Sequence, residues 1–229
     1  MHKIEIDPAV ATRRPLDWSD LDPRKTALLV IDMQAFFIDW PGGMANPYAA
    51  AIIDNTNRLT AAMRAAGGKV VFTQHASHDE APWRVPGWQE KGSAVLKALN
   101  TRLRPGNPEF AVHEALKVEP GDAMIVKYRP SAFHPLSYVE EANSLQTFLR
   151  AAGVDTLVIT GTLTNGCCES TARDAWQHGY KLLFVEDANA ALTDAEHNAT
   201  LTSMAGFFAH VLSTQRLVEI LGRGPTTPA

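Results

Sequence analysis

Apolar runs of strand length alternate along the chain with segments in which apolar residues recur at helical spacing. The runs are rich in Val, Ile and Leu, and they predict strands at 26–32, 69–73, 122–127, 156–160, 180–185 and 209–213. The helical spacing predicts helices at 48–66, 138–152, from 167 onward, 194–208 and 215–222. All strands except the last, an edge strand, are apolar throughout, which is typical of strands covered on both faces. The alternation therefore predicts an α/β fold in which helices cover both faces of a mostly parallel sheet.

The segments outside this alternation divide the chain. Residues 1–25 carry several charges and Pro residues, and they predict an N-terminal arm that lies on the surface or on a neighbouring subunit. Residues 26–222 form one predicted domain, since about 200 residues suit a single core, and residues 223–229 form a C-terminal tail. Long loops in compact domains are usually functional, and the irregular stretches expected to act as lids or binding loops are 36–47, 74–111 and 128–137.

The composition narrows the function classes. The chain has 229 residues, 45% of them hydrophobic, with a formal net charge of −4 and no dense basic run, which argues against nucleic acid or an anionic membrane as a partner. No apolar run reaches membrane-spanning length, and the charged N-terminal stretch lacks the apolar core of a signal peptide. The two Cys are adjacent and do not make a disulfide framework. These features predict a cytoplasmic protein, because a free thiol survives in that compartment.

Three chemically reactive side chains follow predicted strands. Asp32 ends the first strand, Lys127 ends the third, and Cys167 follows the fourth after a turn rich in Gly and Thr. The carboxyl ends of parallel strands share one edge of the sheet, so these groups are expected to converge in one crevice. At a helix start, free N–H groups and the helix dipole lower the pKa of a thiol, and the same amides can hold an oxyanion. Adjacent helical residues point about 100° apart, so Cys168 is expected to pack inward.

Each of these residues also has an ordinary structural interpretation. Asp32 can be a turn or cap residue, Lys127 a surface residue, and the Cys pair small core residues. The His75, His78 and Asp79 side chains raise the alternative of a metal site, although an i, i+3 His pair is common without metal. The favoured interpretation has no metal, and these side chains then line or cover a substrate pocket together with Trp83 and Trp88.

Three stretches together resemble the isochorismatase-like cysteine hydrolases. They are Leu-Leu-Val-Ile-Asp-Met-Gln at 28–34, Lys-Tyr-Arg-Pro-Ser-Ala-Phe at 127–133, and Gly-Thr-Leu-Thr-Asn-Gly-Cys-Cys-Glu-Ser-Thr-Ala-Arg-Asp-Ala at 161–175. The resemblance runs from about residue 24 to residue 221. It implies a Rossmann-like three-layer α/β/α fold with six strands and no cofactor.

The resemblance also implies site residues. An Asp-Lys-Cys triad falls on Asp32, Lys127 and Cys167. A non-proline cis peptide is expected between Thr162 and Leu163, where it directs the Leu163 N–H, with that of Cys167, at an oxyanion. Family members usually carry Val or another aliphatic residue after the nucleophile, whereas this chain has Cys168. The side chains expected to bind substrate are Phe37, Gln74, His75, Trp83, Arg129 and Phe133, although Arg129 also suits a structural ion pair.

The implied reaction is cysteine-dependent hydrolysis of a small linear amide or ureido group through a thioester, with release of ammonia. Ureidoacrylate, N-carbamoylsarcosine and biuret amidohydrolases are the nearest members, and a homodimer or homotetramer is expected. One alternative is an isochorismatase-type vinyl-ether hydrolase, which lacks the Cys. A second is a nicotinamidase-like amidase, whose Asp-x-His metal pair is replaced here by His75 and Ser77. A third is a non-catalytic interaction protein on this fold.

Overall fold

The computed structural model describes residues 1–11, 18–80, 82–138 and 141–223. Within them, six strands form one sheet in which every neighbouring pair is parallel. They are β1 (Thr26–Ile31), β2 (Lys69–His75), β3 (Ala123–Lys127), β4 (Thr156–Thr162), β5 (Lys181–Ala190) and β6 (His210–Leu212). Their order across the sheet, β3-β2-β1-β4-β5-β6, is that of the Rossmann-like fold. The predicted six-stranded α/β architecture is therefore confirmed, with a sheet that is parallel throughout.

Helices cover both faces of this sheet. The α-helices of the described residues are α1 (Pro8–Ala11), α2 (Ala35–Ile38), α3 (Pro47–Ala51), α4 (Ile53–Ala65), α5 (Gly87–Glu90), α6 (Ala94–Arg102), α7 (Leu145–Ala151), α8 (Glu169–Gln177), α9 (Asp194–Ser203) and α10 (Thr214–Gly222). Helices α4 and α10 pack on one face, and α7, α8 and α9 pack on the other. No helix among the described residues has the length and hydropathy needed to span a bilayer.

Strand β1 shows how the sequence builds the two layers. Its side chains are all buried, and they alternate between the two faces of the sheet. Leu28 and Val30 join the core beneath α4 and α10, whereas Leu29 and Ile31 join the core beneath α7, α8 and α9. Because both faces are covered, an uninterrupted apolar run is the pattern that this position requires.

The stretch 74–111 is more ordered than its Pro and Gly content predicts. It holds α5 and α6 and a 3₁₀ turn, so the expectation of an irregular loop is corrected. Leu99 and Leu103 pack against Phe36 and Phe37 of α2 and form a small separate core. The apolar partners Phe36 and Phe37 lie outside the stretch, so the spacing within 74–111 does not reveal the helix.

Other element boundaries differ in detail. The helix predicted at 48–66 is divided at Ile52 into α3 and α4. The helix predicted at 138–152 begins only at Leu145, where the Ser144 hydroxyl accepts from the Thr147 N–H and caps it. The helix predicted from 167 begins as a π-helical turn, Thr164–Cys168, and continues as α8.

The N-terminal residues dock on their own chain. Asn198 of α9 accepts from the Glu5 N–H and donates to the Lys3 carbonyl, both at 2.8 Å. His2 is buried, and its Nδ1 lies 2.8 Å from Asp194 Oδ1 at the start of α9. The arm expected for residues 1–25 therefore follows α9 over its first residues, while 12–17 and most of the C-terminal tail lie outside the described residues.

Candidate active site

The ends of β1 and β4 approach each other unusually closely. Gly161 pairs with Ile31, the residue before Asp32, and a Cβ at Gly161 would lie 2.1 Å from the Ile31 carbonyl oxygen. Gly161 also has a φ of +119°, which disfavours any other residue. Asp32 itself has a φ of 49°, in the left-handed region that Asp tolerates better than most residues. Only glycine at 161 lets the backbone carrying Asp32 lie against the strand that leads to Cys167.

Asp32 and Lys127 form a buried ion pair. Lys127 Nζ lies 2.7 Å from Asp32 Oδ2, and neither side chain is more than 1% exposed. The Thr73 hydroxyl donates to Asp32 Oδ1 at 2.8 Å, which fixes the carboxylate from the neighbouring strand β2. Oδ2 accepts no well-aligned hydrogen bond from the described residues. The carboxylate therefore keeps one oxygen with free capacity to accept a proton.

Lys127 has other buried acceptors besides this carboxylate. Its Nζ donates to the Arg129 carbonyl at 3.0 Å and to His75 Nδ1 at 3.3 Å. Lys127 thus has two hydrogen-bond acceptors in addition to its ion pair with Asp32. Burial by itself lowers the pKa of Lys127, but its interactions with Asp32 and then with Cys167 raise it overall. The ammonium is thus retained in the interior, where it supplies a fixed positive charge.

Cys167 lies in the π-helical turn after β4, and its thiol faces this pair. The ligand-forming atoms of Asp32, His75 and Cys167 all lie within 4.8 Å of one another. Burial of the thiol raises the pKa of Cys167 to about 12, and the nearby Lys127 ammonium only partly opposes this. The prediction of a lowered pKa is therefore wrong for the resting site, since desolvation outweighs the helix start. The thiol is protonated at neutral pH and needs a base.

The neighbouring thiol has a different environment. Cys168 is fully buried in the core beneath α7, α8 and α9, as predicted from the helical rotation between adjacent residues. Its Sγ lies 3.9 Å from the Thr160 carbonyl oxygen. The pKa of Cys168 is raised well above its ordinary value, mainly by burial. Cys168 is a packing residue.

The backbone turns sharply between β4 and the nucleophile. The peptide bond between Thr162 and Leu163 is cis, at the position that the family resemblance implies. The Thr162 hydroxyl donates to the Ala190 carbonyl of β5 at 3.2 Å. The Leu163 carbonyl accepts from the N–H groups of Gly166 and Cys168 at 3.0 and 3.2 Å. These contacts hold the turn that carries Cys167.

The residues expected to bind substrate lie in different environments. His75 is in the centre, and the Phe37 ring meets it edge-on with centroids 6.4 Å apart. Gln74 donates to the Phe110 carbonyl at 2.9 Å, which anchors the stretch 74–111. The Trp83 ring packs edge-on against that of His78, with centroids 5.6 Å apart.

Arg129 and Phe133 follow Lys127 on the loop after β3. One nitrogen of the Arg129 guanidinium donates to the carbonyls of Arg84 and Tyr128, at 3.1 and 3.0 Å. This joins the loop after β3 to the stretch 74–111. Phe133 packs against the rings of His178 and Tyr180 in the core beneath α7, α8 and α9.

Two residues of the site are missing from the sequence prediction. Gln34 accepts from the His75 N–H at 2.7 Å and donates to the carbonyls of His75 and Phe110. Thr73 holds the Asp32 carboxylate. The sequence does contain a sign of both residues, which is a polar residue in or shortly after an apolar strand. A buried Gln or Thr at such a position needs hydrogen-bond partners.

Asp32, His75 and Cys167 together have the donor atoms for a metal ion, but the Lys127 ammonium already supplies a positive charge at this place. This ammonium lies between the carboxylate and His75, so a cation would have to displace it. Burial, followed by the charge of Lys127, lowers the pKa of His75 to about 3, so the ring is neutral. In the alternative set of His75, His78 and Asp79, the exposed Asp79 carboxylate pairs with Arg104 at 2.7 Å, and among the described residues the ligand atoms that cluster are those of Asp32, His75 and Cys167.

The sequence is similar to those of known proteins over most of its length. The family model described as "Isochorismatase domain" matches residues 26–216. The chain therefore belongs to the isochorismatase family. It is 34% identical over 227 residues to ureidoacrylate amidohydrolase RutB of Methylobacterium radiotolerans, covering 91% of this chain and 84% of that protein. It is 30% identical over 199 residues to maleamate amidohydrolase of Pseudomonas putida, covering 86% and 87% respectively.

Solved structures show the same fold. A cysteine hydrolase from Pseudomonas syringae pv. phaseolicola superposes with a TM-score of 0.80 and 28% identity, covering 93% of this chain and 99% of that one. The named relatives are amidohydrolases, and this supports amide hydrolysis as the class of reaction.

Proposed function

We propose that this protein is a cysteine-dependent amidohydrolase acting on a small linear amide or ureido group through a thioester intermediate. One observation carries the proposal: the buried ion pair of Asp32 and Lys127 lies beside the Cys167 thiol at one edge of the sheet. A protonated thiol next to a carboxylate with a free oxygen is the arrangement of a nucleophile and its base.

The first half of the reaction forms the thioester. Asp32 Oδ2 takes the thiol proton as Cys167 Sγ bonds to the substrate carbonyl carbon. When the tetrahedral intermediate collapses, the carbon–nitrogen bond breaks and the same proton passes to the leaving nitrogen, which departs as ammonia. Since the pKa of the thiol is raised, proton removal and attack are coupled, and Asp32 acts within the transition state.

The second half of the reaction releases the acid. A water molecule attacks the thioester carbon while Asp32 accepts one of its protons. The carbon–sulfur bond then breaks, and Cys167 recovers its proton from Asp32. The enzyme returns to its starting protonation state, and the net change is addition of water across the carbon–nitrogen bond.

Lys127 has an electrostatic role in this scheme. It remains an ammonium throughout, because the Asp32 carboxylate and two buried hydrogen-bond acceptors stabilise its charge. It pairs with the Asp32 carboxylate, and it stabilises the negative charge that develops on sulfur. The Leu163 and Cys167 amides are proposed to hold the carbonyl oxygen of the tetrahedral intermediate, since they flank the turn that carries the thiol.

The substrate class follows from the relatives and the site together. Ureidoacrylate and maleamate amidohydrolases are named for a ureido and an amide substrate, and both are similar to this chain over most of its length. The stretch 74–111 is proposed to cover the site together with Phe37, Trp83 and Arg129, since the Phe37 ring meets that of His75 and Arg129 bonds to Arg84. Small substrates with a flat apolar or anionic remainder are proposed to fit there.

Release of ammonia from a panel of small ureido acids, linear amides and nicotinamide tests the proposal. Wild-type protein should release ammonia from at least one ureido or linear amide substrate, and Cys167→Ala should not.

Other outcomes would favour other functions. A chelator should leave the rate of ammonia release unchanged. Loss of activity with the chelator, with recovery on adding zinc, would instead favour a metal-dependent amidase. Hydrolysis retained by Cys167→Ala would reject the thioester and favour a vinyl-ether hydrolase. No hydrolysis of any panel member would favour a non-catalytic role. The homodimer or homotetramer remains a prediction, which the mass in solution checks.

A further inference from the structure

His2 is part of a three-ring stack next to the nucleophile turn. Its ring lies between those of Tyr48 and His197, with centroids 3.9 and 4.1 Å away and interplanar angles of 10° in both cases. His2 and His197 are both buried. Tyr48 belongs to α3 and His197 to α9, so the ring of His2 joins two helices on different sides of the sheet edge.

Hydrogen bonds fix the orientation of the two His rings. The Ala191 N–H donates to His2 Nε2 at 3.0 Å, so that nitrogen carries a lone pair and Nδ1–H donates to Asp194 at 2.8 Å. His197 is arranged in the opposite way. Its Nε2–H donates to the Glu186 carbonyl at 3.0 Å, which leaves Nδ1 to accept from the Thr164 hydroxyl at 2.9 Å. Each ring therefore has one tautomer that satisfies all its partners.

Thr164 connects this stack to the chemistry. It is the first residue of the π-helical turn that carries Cys167, and it directly follows Leu163, whose peptide with Thr162 is cis. Thr164 is fully buried, and its hydroxyl has His197 as a partner. The Thr164 hydroxyl thus connects the turn to His197, and the His2 ring stacks against the His197 ring.

We propose that His2 is a positioning residue for the nucleophile: through His197 and Thr164 it sets the geometry of the turn that carries Cys167. The proposal rests on the proposed function in that Cys167 is taken as the nucleophile. It extends the active site to a segment near the beginning of the chain, which neither the strand ends nor the family motifs include. A displacement of about 1 Å at a reacting atom can cost on the order of 100-fold in rate, so modest loosening of the turn is measurable.

His2→Ala tests the proposal directly. It removes the ring and its two hydrogen bonds but leaves the backbone contacts of Lys3 and Glu5 with Asn198. On a substrate found with the panel, kcat should fall by about 10-fold or more with KM within about twofold, at a temperature well below the unfolding transition. His2→Phe retains a flat ring for the stack and should recover most of kcat. Lys3→Ala, a change of an exposed neighbour, is the matched control and should behave as wild type.

A second readout does not need a substrate. The rate at which iodoacetamide alkylates Cys167, resolved by peptide mass spectrometry, reports the position of the thiol and should change at least about threefold in His2→Ala. Thr164→Val removes the hydroxyl that contacts His197 at similar volume. If His2 acts through Thr164, the double variant should be no worse than the more impaired single variant, because the two changes break one path.

Several outcomes overturn the proposal and separate it from the proposed function. A lower melting temperature in His2→Ala with unchanged kcat and alkylation rate would make His2 a stabilising residue only. Fully additive effects of His2→Ala and Thr164→Val would reject the path through His197. Activity retained by Cys167→Ala would instead contradict the proposed function, while the alkylation rates would still decide whether His2 positions the turn.

Discussion

At the scale of single residues, Asp32 is both the proposed base for the thiol and the counter-ion of Lys127. Asp32→Asn keeps the shape but cannot accept the thiol proton, so turnover should fall by about 10²–10⁴-fold. The change also leaves Lys127 buried without its counter-charge, which costs on the order of 3–5 kcal/mol of unfolding free energy. Rates should therefore be measured under conditions where circular dichroism shows the variant folded.

A matched control is available on the surface. Asp155→Asn makes the same chemical change in a carboxylate that is half exposed and lies 3.7 Å from Lys181. Exposed pairs contribute less than about 1 kcal/mol, so both turnover and stability should remain near the wild-type values. Near-normal turnover in folded Asp32→Asn would return Asp32 to the role of a turn residue.

The adjacent thiols should differ in reactivity as they differ in environment. Iodoacetamide should modify Cys167 before Cys168, because Cys168 is fully buried in the core. The pKa of Cys167 is about 12, so its alkylation rate should keep rising with pH beyond 9 instead of reaching a plateau near the value for a free thiol. Cys168→Val should retain turnover. A plateau below pH 8, or faster labelling of Cys168, would contradict this description.

At the scale of elements, the contact between β1 and β4 places Asp32 next to the nucleophile turn. Gly161→Ala would put a methyl group 2.1 Å from the Ile31 carbonyl oxygen, and the backbone of a central strand cannot move aside easily. We expect a loss of at least about 2 kcal/mol in unfolding free energy, measured by urea denaturation, together with loss of turnover.

Gly121→Ala provides the comparison. Gly121 has a similar φ of +103° but nothing within 4 Å of the added Cβ. It should cost only the conformational strain, about 1 kcal/mol, and leave turnover unchanged. Equal losses in the two variants would show that backbone strain, and not the contact between β1 and β4, makes Gly161 necessary.

The elements that the sequence predicts well are those whose pattern is set by the sheet. Residues 27–31 and 70–72 are apolar because both faces of the sheet are covered, and this requirement is visible in the residues themselves. The sequence does not predict the helix Ala94–Arg102, because its packing partners Phe36 and Phe37 are far away in the chain. The π-helical turn at Thr164–Cys168 depends on contacts made by the Leu163 carbonyl, which no local periodicity records.

The residues of the candidate site also divide into those that the sequence predicts and those that depend on contacts between distant segments. Asp32, Lys127 and Cys167 could be placed because strand ends of a parallel sheet share one edge. His2 and His197 could not, because their roles depend on stacking between segments that no motif joins. The pKa of Cys167 is higher than the sequence predicts for a related reason. Burial, which raises the pKa, is a property of the folded structure, whereas the helix start is visible in the sequence.

At the scale of the whole molecule, buried neutral His residues make stability depend on pH. Burial is the largest cause that lowers the pKa of His75 to about 3 and that of His197 to about 4. An unfolded His titrates near 6.5, so below that pH the unfolded chain binds more protons. Stability should fall as pH drops from about 6.5 toward 4.5, by about 1.4 kcal/mol per pH unit for each His.

Urea midpoints measured across this range test the prediction. His210, whose pKa is also lowered mainly by burial, acts in the same direction, and Glu186, whose pKa burial raises, opposes it. His197→Gln should reduce the slope by about 1.4 kcal/mol per pH unit, while His134→Gln, at an exposed position, should leave it unchanged. A slope unaffected by His197→Gln would show that other groups carry the pH dependence.

The contact between His2 and Asp194 also orders events during synthesis. The two residues are 192 positions apart, and ribosomes add about 5–20 residues per second, so the segment with His2 waits about 10–40 s for its partner. By then Asp32, Lys127 and Cys167 have all been translated. The nascent chain can therefore assemble its central strands first, and the turn that carries the thiol reaches its final geometry only after α9 has been made and has bound the segment that preceded it.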